Sequence, residues 1–107
     1  MCIQTKSTLY QQREFFLRDN LLFSLLICET YNVLTSRKDV KLSAQEIYMG
    51  LSPFLKDRMT YVFLNNPQAK LLFSSCDDIV AFVVSTLADQ IDKIKIQSNY
   101  YYIQSKL

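Results

Sequence analysis

The pattern of apolar and polar positions predicts a chain built mainly from short amphipathic helices. Apolar residues recur at helical spacing along much of the chain, which places them on one side of each helix. We predict helices over residues 7–17, 21–34, 53–64 and 79–90, with shorter helices beginning at Ala44 and Gln68. After residue 90, β-branched and aromatic residues nearly alternate, which favours strands. The predicted fold class is mainly α, with short helices in helix-turn-helix pairs followed by one or two β-strands at the C-terminus.

Local capping patterns define the elements in the middle of the chain. Ser43 followed by Glu46 is a capping box, so a short helix is expected to begin at Ala44. Gly50 is expected to take a positive φ where that helix ends, and Ser52 before Pro53 is expected to cap the next helix. That helix is predicted to bury one apolar stripe and to turn its charged residues to water. The stripe comprises Phe54, Leu55, Met59, Val62 and Phe63, and the charged residues are Lys56, Asp57 and Arg58.

The two N-terminal helices are predicted to meet at a polar corner. Phe15 and Phe16 are the expected apolar anchors of the first helix, and Asp19 with Asn20 is expected to cap the second. The second helix, 21–34, is apolar around most of its circumference and therefore needs cover on most of its surface. Residues 35–42 are predicted to form a surface connection.

Two further signals mark the end of helix 53–64 and the start of helix 79–90. Residues 65–67, Asn-Asn-Pro, are expected to stop the preceding long helix, because proline pushes the residue before it out of the helical region. Ser75 and Asp78 have the spacing of a capping box at the start of helix 79–90. The residues that this helix is predicted to bury are Ile79, Phe82, Val83, Thr86 and Leu87.

Composition limits the possible classes of protein. At 107 residues the chain is one domain or part of one, and its single glycine and two prolines supply too few turns for a sandwich or barrel. A formal charge of +2 favours neither nucleic acid nor an acidic membrane surface. Three isolated cysteines indicate reduced thiols in a cytosolic setting. The apolar run 21–28 is too short to span a membrane, and the N-terminus lacks signal-peptide features.

The sequence offers little chemistry for catalysis. It contains no histidine, so we predict no enzyme activity, no catalytic residue and no metal site. Asp77 and Asp78 are interpreted as helix-capping carboxylates, and Cys76, a conceivable activated thiolate, has no base nearby in sequence. Residues 100–102, three tyrosines, form a possible stacking platform for single-stranded nucleic acid with Lys93, Lys95 and Lys106. An ordinary strand with one tyrosine inward and two outward is the favoured interpretation.

The chain resembles a known family over roughly residues 10–107. Residues 51–59 read Leu-Ser-Pro-Phe-Leu-Lys-Asp-Arg-Met, with Glu-Ile before them and, after a further helix, Leu-Leu-Phe-Ser-Ser-Cys-Asp-Asp at 71–78. This order resembles the C-linker of cyclic-nucleotide-gated and hyperpolarization-activated cation channels and their voltage-gated potassium-channel relatives. The chain differs from that family at Ser52, where proline is usual, and lacks the family's Leu-Pro corner and tryptophan near the first helices. The matching residues are Leu51, Leu55, Lys56, Phe73, Cys76, Asp77 and Leu87, with Tyr102-Ile103-Gln104 near the family's Tyr-Ile strand.

The resemblance implies a domain organisation and a role. Residues 7–72 would be a C-linker-like helical region, and 73–107 the first helix and strands of an incomplete cyclic-nucleotide-binding-like domain. Residues 1–6 are predicted from their own sequence to be a disordered start. No cofactor is expected in this chain, because the family's nucleotide pocket lies beyond Leu107. The implied role is to transmit movement of the ligand domain to the pore and to contribute to subunit assembly, at the cytoplasmic face of a membrane and as part of a membrane protein.

The implied partners are neighbouring subunits of a homo- or hetero-tetramer and the rest of the channel, with no nucleic acid and no direct membrane span. In the family, the first two helices rest on the next subunit, and the apolar helix 21–34 agrees with such a contact. Candidate residues for interface or coupling salt bridges are Arg18, Glu29, Lys56, Asp57 and Arg58.

The sequence also allows other interpretations. Charges on a helix are more often only solvated than paired, so those five residues have a plain alternative as surface charges. The main alternative function is a free-standing helical protein-interaction module, an adaptor with no channel role. A nucleic-acid-binding module using the tyrosine strand is a third, and it predicts binding that weakens steeply with salt.

Overall fold

In the computed structural model of the protein, residues 8–104 are described, and they form six helices and three strands. The predicted mainly helical fold with C-terminal strands is confirmed. The prediction for residues 1–6 lies outside the described part of the chain. The helices are α1 Thr8–Asp19, α2 Phe23–Ser36, α3 Ala44–Met49, α4 Pro53–Asn65, α5 Pro67–Leu72 and α6 Cys76–Gln90, and the strands are β1 Leu42–Ser43, β2 Ile94–Gln97 and β3 Tyr100–Ile103.

Helix α6 lies at the centre of the core. It contacts α2, α3, α4 and β2, so apolar residues are buried on several of its sides and not on one stripe alone. All five residues predicted to be buried in this helix are buried, and Val80 and Val84 are buried as well. α2 covers much of it, with Leu26, Thr30 and Leu34 facing the core. The apolar character of α2 is therefore largely accounted for by packing within the chain.

The helix caps follow the sequence closely. Ser43 Oγ accepts a hydrogen bond from the Glu46 amide, and Glu46 Oε1 accepts one from the Ser43 amide, which completes the predicted capping box. Ser52 caps α4 by accepting from the Leu55 amide, and Ser75 caps α6 by accepting from the Asp78 amide. These bonds satisfy N–H groups that have no partner inside the helix.

The three-stranded antiparallel sheet has the order β1-β3-β2. Leu42 lies opposite Tyr101, and Ile94 lies opposite Ile103. The prediction of a surface connection over 35–42 was wrong at its end, because Leu42 is buried and pairs with β3. A two-residue strand has no periodicity to reveal it. By pairing, β1 ties the start of α3 to the C-terminal hairpin.

The tyrosines of β3 take the favoured arrangement. Tyr101 is buried, whereas Tyr100 is exposed and Tyr102 is half-buried, so one ring points inward and two point outward. Lys41 Nζ lies 5.8 Å from the centre of the Tyr102 ring. The alternation follows from the two-residue period of a strand.

Gly50 does not adopt the predicted positive φ. Its φ is −84°, which is open to any residue. A Cβ atom built at this position would lie 3.3 Å from both methyl carbons of Val33, so α3 ends close against α2. Glycine is favoured here by the space available and not by its backbone conformation.

The corner between α1 and α2 also differs from the prediction. Neither Asp19 nor Asn20 caps α2, because the Asn20 side-chain amide donates to the Phe16 carbonyl oxygen at 2.9 Å and closes α1 instead. Leu21 then turns the chain with a φ of 59°, and Leu22 is buried immediately before α2. Of the two predicted anchors of α1, Phe16 is buried and Phe15 is exposed.

Candidate functional site

Helix α4 carries apolar side chains on two opposite sides. Leu55, Met59 and Val62 point into the core and are buried. The prediction that Phe54 belongs to this buried stripe was wrong, and Phe63 is only half-buried. Phe54 precedes Leu55 by one position, which rotates it by about 100° on a helix.

The opposite side of α4 is an exposed apolar surface. Phe54, Tyr61 and Leu64 are 64%, 68% and 61% exposed, and Asp57 lies between them on the same side by helical spacing. We call these four residues the outer face of α4. Next along the chain, Leu71 of α5 is 83% exposed. Large exposed side chains grouped in this way are typical of protein contact surfaces.

Two of the five candidate charged residues hold helices together within the chain. Glu29 of α2 accepts two hydrogen bonds from Ser52, one from its amide at 2.8 Å and one from its hydroxyl at 2.9 Å. Arg58 of α4 donates from Nη2 to the carbonyl oxygen of Asn20 at 3.2 Å, which joins α4 to the α1–α2 corner. α4 is thus attached to α2 at its start and to the corner near its middle.

The other three candidates lie nearer the surface. Arg18 forms an ion pair with Glu14 one turn earlier, at 2.9 Å, and its guanidinium lies 4.2 Å from the centre of the Phe23 ring. Lys56 Nζ donates to the Met49 carbonyl oxygen at 3.4 Å. Within residues 8–104, Arg18 is the only one of the five candidates in an ion pair. Asp57 is exposed on the outer face of α4.

Sequence reasoning missed the residue that fastens α1 to the C-terminal half of the chain. Arg13 Nε donates to the Leu72 carbonyl oxygen at 2.8 Å, and Arg13 Nη2 lies 3.7 Å from Asp78 Oδ2. Its guanidinium carbon is 5.1 Å from the centre of the Phe73 ring. A sequence signal does exist, since Arg13 lies three and four positions before the buried Phe16 and Leu17 and so faces the core side of α1.

The carboxylates at the start of α6 have structural partners. Asp78 Oδ2 accepts a hydrogen bond from the Ser74 amide at 3.0 Å in addition to its ion pair with Arg13. Burial raises the pKa of the Cys76 thiol above its ordinary value; a hydrogen bond with Thr60 lowers it in part, and the charge of Asp77 raises it. A raised pKa keeps the thiol protonated, which is the direction opposite to activation.

A cleft of about 460 Å³ lies between α1, α2 and the C-terminal end of α6. Tyr10 and Thr86, on opposite sides of the α1–α6 contact, share a hydrogen bond of 3.0 Å between their hydroxyl oxygens. Because Thr86 Oγ1 also donates to the Phe82 carbonyl oxygen at 3.1 Å, Tyr10 is the donor in the shared bond. The other main lining residues are Glu14, Arg18, Phe23, Ile27, Cys28, Leu87, Gln90 and Ile91.

No group of three His, Cys, Asp or Glu residues suited to a metal ion occurs among residues 8–104. Over the same residues, every helix is too short or too polar to cross a membrane. Comparison of the chain with protein families, curated proteins and solved structures finds no match.

Proposed function

We propose that this chain is the cytoplasmic coupling region of a cyclic-nucleotide-regulated cation channel and that it works by contact with neighbouring subunits. The observation that carries the proposal is the outer face of α4, where three large apolar side chains are more than half exposed. This helix begins within residues 51–59, the stretch that resembles the channel linkers. The contact surface and the family resemblance therefore fall on the same element.

A ring of subunits needs two different surfaces on each subunit, because head-to-tail contacts are heterologous. The α1–α2 corner supplies a candidate for the second surface, since Phe15 and Leu21 are both exposed there. In the proposed assembly, the corner of one subunit rests on the outer face of α4 of the next. Asp57, exposed in the middle of that face, is then the candidate partner for a basic residue such as Arg18 of a neighbouring subunit.

The hydrogen bonds inside the chain provide a route for movement between these surfaces. Arg58 joins α4 to the corner at Asn20, and Glu29 joins α2 to the start of α4 at Ser52. Rigid packed elements that shift relative to one another are an established means of passing a conformational change. Under the proposal, displacement of α4 carries α2 and the corner with it.

One observation favours a second candidate, a free-standing helical interaction module. Arg13 and Tyr10 fasten α1 to α5 and α6 of the same chain, so the N-terminal helices close onto their own core. A chain closed in this way can present the outer face of α4 to an unrelated protein partner without forming a ring. The two candidates share the contact surface and differ in the partner.

The experiment that tests the proposal is the solution mass of the full chain by light scattering over a concentration series. We expect reversible association toward a tetramer, and we expect the combined variant Phe54→Ser, Tyr61→Ser, Leu64→Ser to associate roughly tenfold or more weakly, because tenfold corresponds to only about 1.4 kcal/mol. The matched control is Val40→Ser, which removes an exposed apolar side chain from the loop between α2 and β1.

Circular dichroism of each variant checks that its helix content is unchanged. A wild-type chain that stays strictly monomeric at high concentration would contradict the channel proposal and shift support to the interaction module. Association that is equally weakened by Val40→Ser would show that the outer face of α4 has no special role.

A further inference from the structure

The cleft between α1, α2 and the end of α6 has the size and lining of a small-molecule site. Its volume of about 460 Å³ falls within the range of roughly 300–1,000 Å³ in which ligand pockets are found. Ile27, Leu87 and Ile91 supply aliphatic surface from two different helices and the segment after α6. Tyr10 and Phe23 add aromatic surface.

The charges of the cleft cancel. Among its lining residues, Glu14 and Arg18 are the charged pair, and they form an ion pair with each other at 2.9 Å. A ligand with a net charge would meet one favourable and one unfavourable partner close together. The lining therefore favours a ligand without net charge.

The aromatic and planar groups favour a flat ligand. The Arg18 guanidinium carbon lies over the Phe23 ring, 4.2 Å from the ring centre. The Arg18 side chain is 56% exposed, so a ligand can reach its guanidinium, and guanidinium planes stack well on aromatic rings. Gln90, exposed at the rim, offers both a hydrogen-bond donor and an acceptor.

We propose that this cleft binds an uncharged, planar aromatic small molecule, which stacks on Arg18 and rests on the aliphatic side chains of α2 and α6. The proposal concerns a cleft within one chain and does not require the subunit contact proposed above, although Arg18 belongs to both. Bound there, the molecule would contact α1, α2 and α6 together and would strengthen the closure that Tyr10 and Thr86 already make. A ligand that binds only the closed form raises the thermal midpoint of unfolding as its concentration rises.

The test uses Nile red, an uncharged planar fluorophore, titrated with the full chain at concentrations below any self-association. We expect saturable binding of one molecule per chain. Ser24→Trp introduces a bulky side chain from an exposed position that lines the cleft, and it is expected to weaken binding at least tenfold. Cys28→Trp is a second filling variant, also from an exposed lining position.

The matched control is Tyr61→Ser, which removes an exposed ring from the outer face of α4 and is expected to change the affinity less than twofold. Arg18→Met is expected to weaken binding several-fold through loss of the stacking plane. Absence of saturable binding would overturn the proposal. Binding that survives both filling variants, or that is lost in Tyr61→Ser, would overturn it as well, because the probe would then lie outside the cleft.

Discussion

The two sides of α4 have similar apolar content and opposite surroundings. Leu55, Met59 and Val62 are covered by the rest of the chain, whereas Phe54, Tyr61 and Leu64 face solvent. Hydrophobic side chains on a helix are therefore not all explained by the chain's own core. The inner side stabilises the fold, and the outer side is available for contact with another molecule.

The largest loss of stability is expected from a substitution on the inner, buried side of α4. Leu55→Ala should lower the free energy of unfolding by about 2–5 kcal/mol, because Leu55 is wholly buried and its truncation leaves a cavity in the core. Phe54→Ala, one residue away, should change it by no more than about 0.5 kcal/mol, as is usual for exposed positions. Urea denaturation followed by circular dichroism measures both. Equal losses for the two variants would remove the distinction between the sides of α4.

A second contrast compares two arginines on α1. Arg13→Met should lower stability by about 1–3 kcal/mol, because it removes a charge-assisted hydrogen bond to a carbonyl oxygen and leaves Asp78 without its ion-pair partner. Arg18→Met should cost about 1 kcal/mol or less, because its ion pair lies on the surface and the Phe23 contact is partly exposed. The measurement is the midpoint of urea unfolding, and a larger loss for Arg18 would contradict the role given to Arg13.

Substitutions at two buried threonines are expected to change stability by smaller amounts and in opposite directions. Thr30 Oγ1 has no hydrogen-bond partner within the described part of the chain, so Thr30→Val should raise stability by about 1 kcal/mol. Thr86 Oγ1 takes part in two hydrogen bonds, so Thr86→Val should lower stability by about 1–2 kcal/mol. Differential scanning calorimetry would show one thermal midpoint rising and the other falling. Changes of the same sign would refute this account of the two hydroxyls.

The smallest expected change in stability concerns the contact between α2 and α3. Gly50→Ala should be nearly neutral, because the lower entropy of the unfolded chain is offset by the close approach of the new Cβ atom to Val33. In a Val33→Ala background the clash is relieved, and the same substitution should stabilise by about 0.4–1 kcal/mol. A double-mutant cycle measures the difference. Strong destabilisation in both backgrounds would mean that the backbone at Gly50 excludes alanine.

Short-range signals predicted much of the fold because they act within a few residues. Ser43, Ser52 and Ser75 each cap a helix by bonding an amide three positions later, and such spacing is visible in the sequence. β1 and the Arg13 contacts depend on partners 57 to 65 residues away along the chain, and the hydrophobic periodicity of the sequence gives no information on such contacts. Asn20 shows a related difficulty, since its amide served the helix before it and not the helix after it.

The candidate site was predictable only in part. Asp57 was singled out by its charge and does lie on the outer face of α4. Glu29 and Arg58 were also singled out, and both make hydrogen bonds between elements of the same chain in place of ion pairs. The exposure of Phe54 was missed because the predicted stripe included both Phe54 and Leu55. Neighbouring residues point about 100° apart on a helix, and only packing decides which of the two is buried.

Contact between the outer face of α4 and a second subunit can be tested by ¹⁹F NMR of the chain labelled with 3-fluorotyrosine, recorded over a series of protein concentrations. Tyr61 is assigned by Tyr61→Phe, and Tyr101, which is buried in β3, serves as the internal control. We expect the Tyr61 signal to move with concentration while the Tyr101 signal stays in place. A Tyr61 signal that does not change up to high concentration would contradict the claim that the outer face of α4 contacts a second subunit.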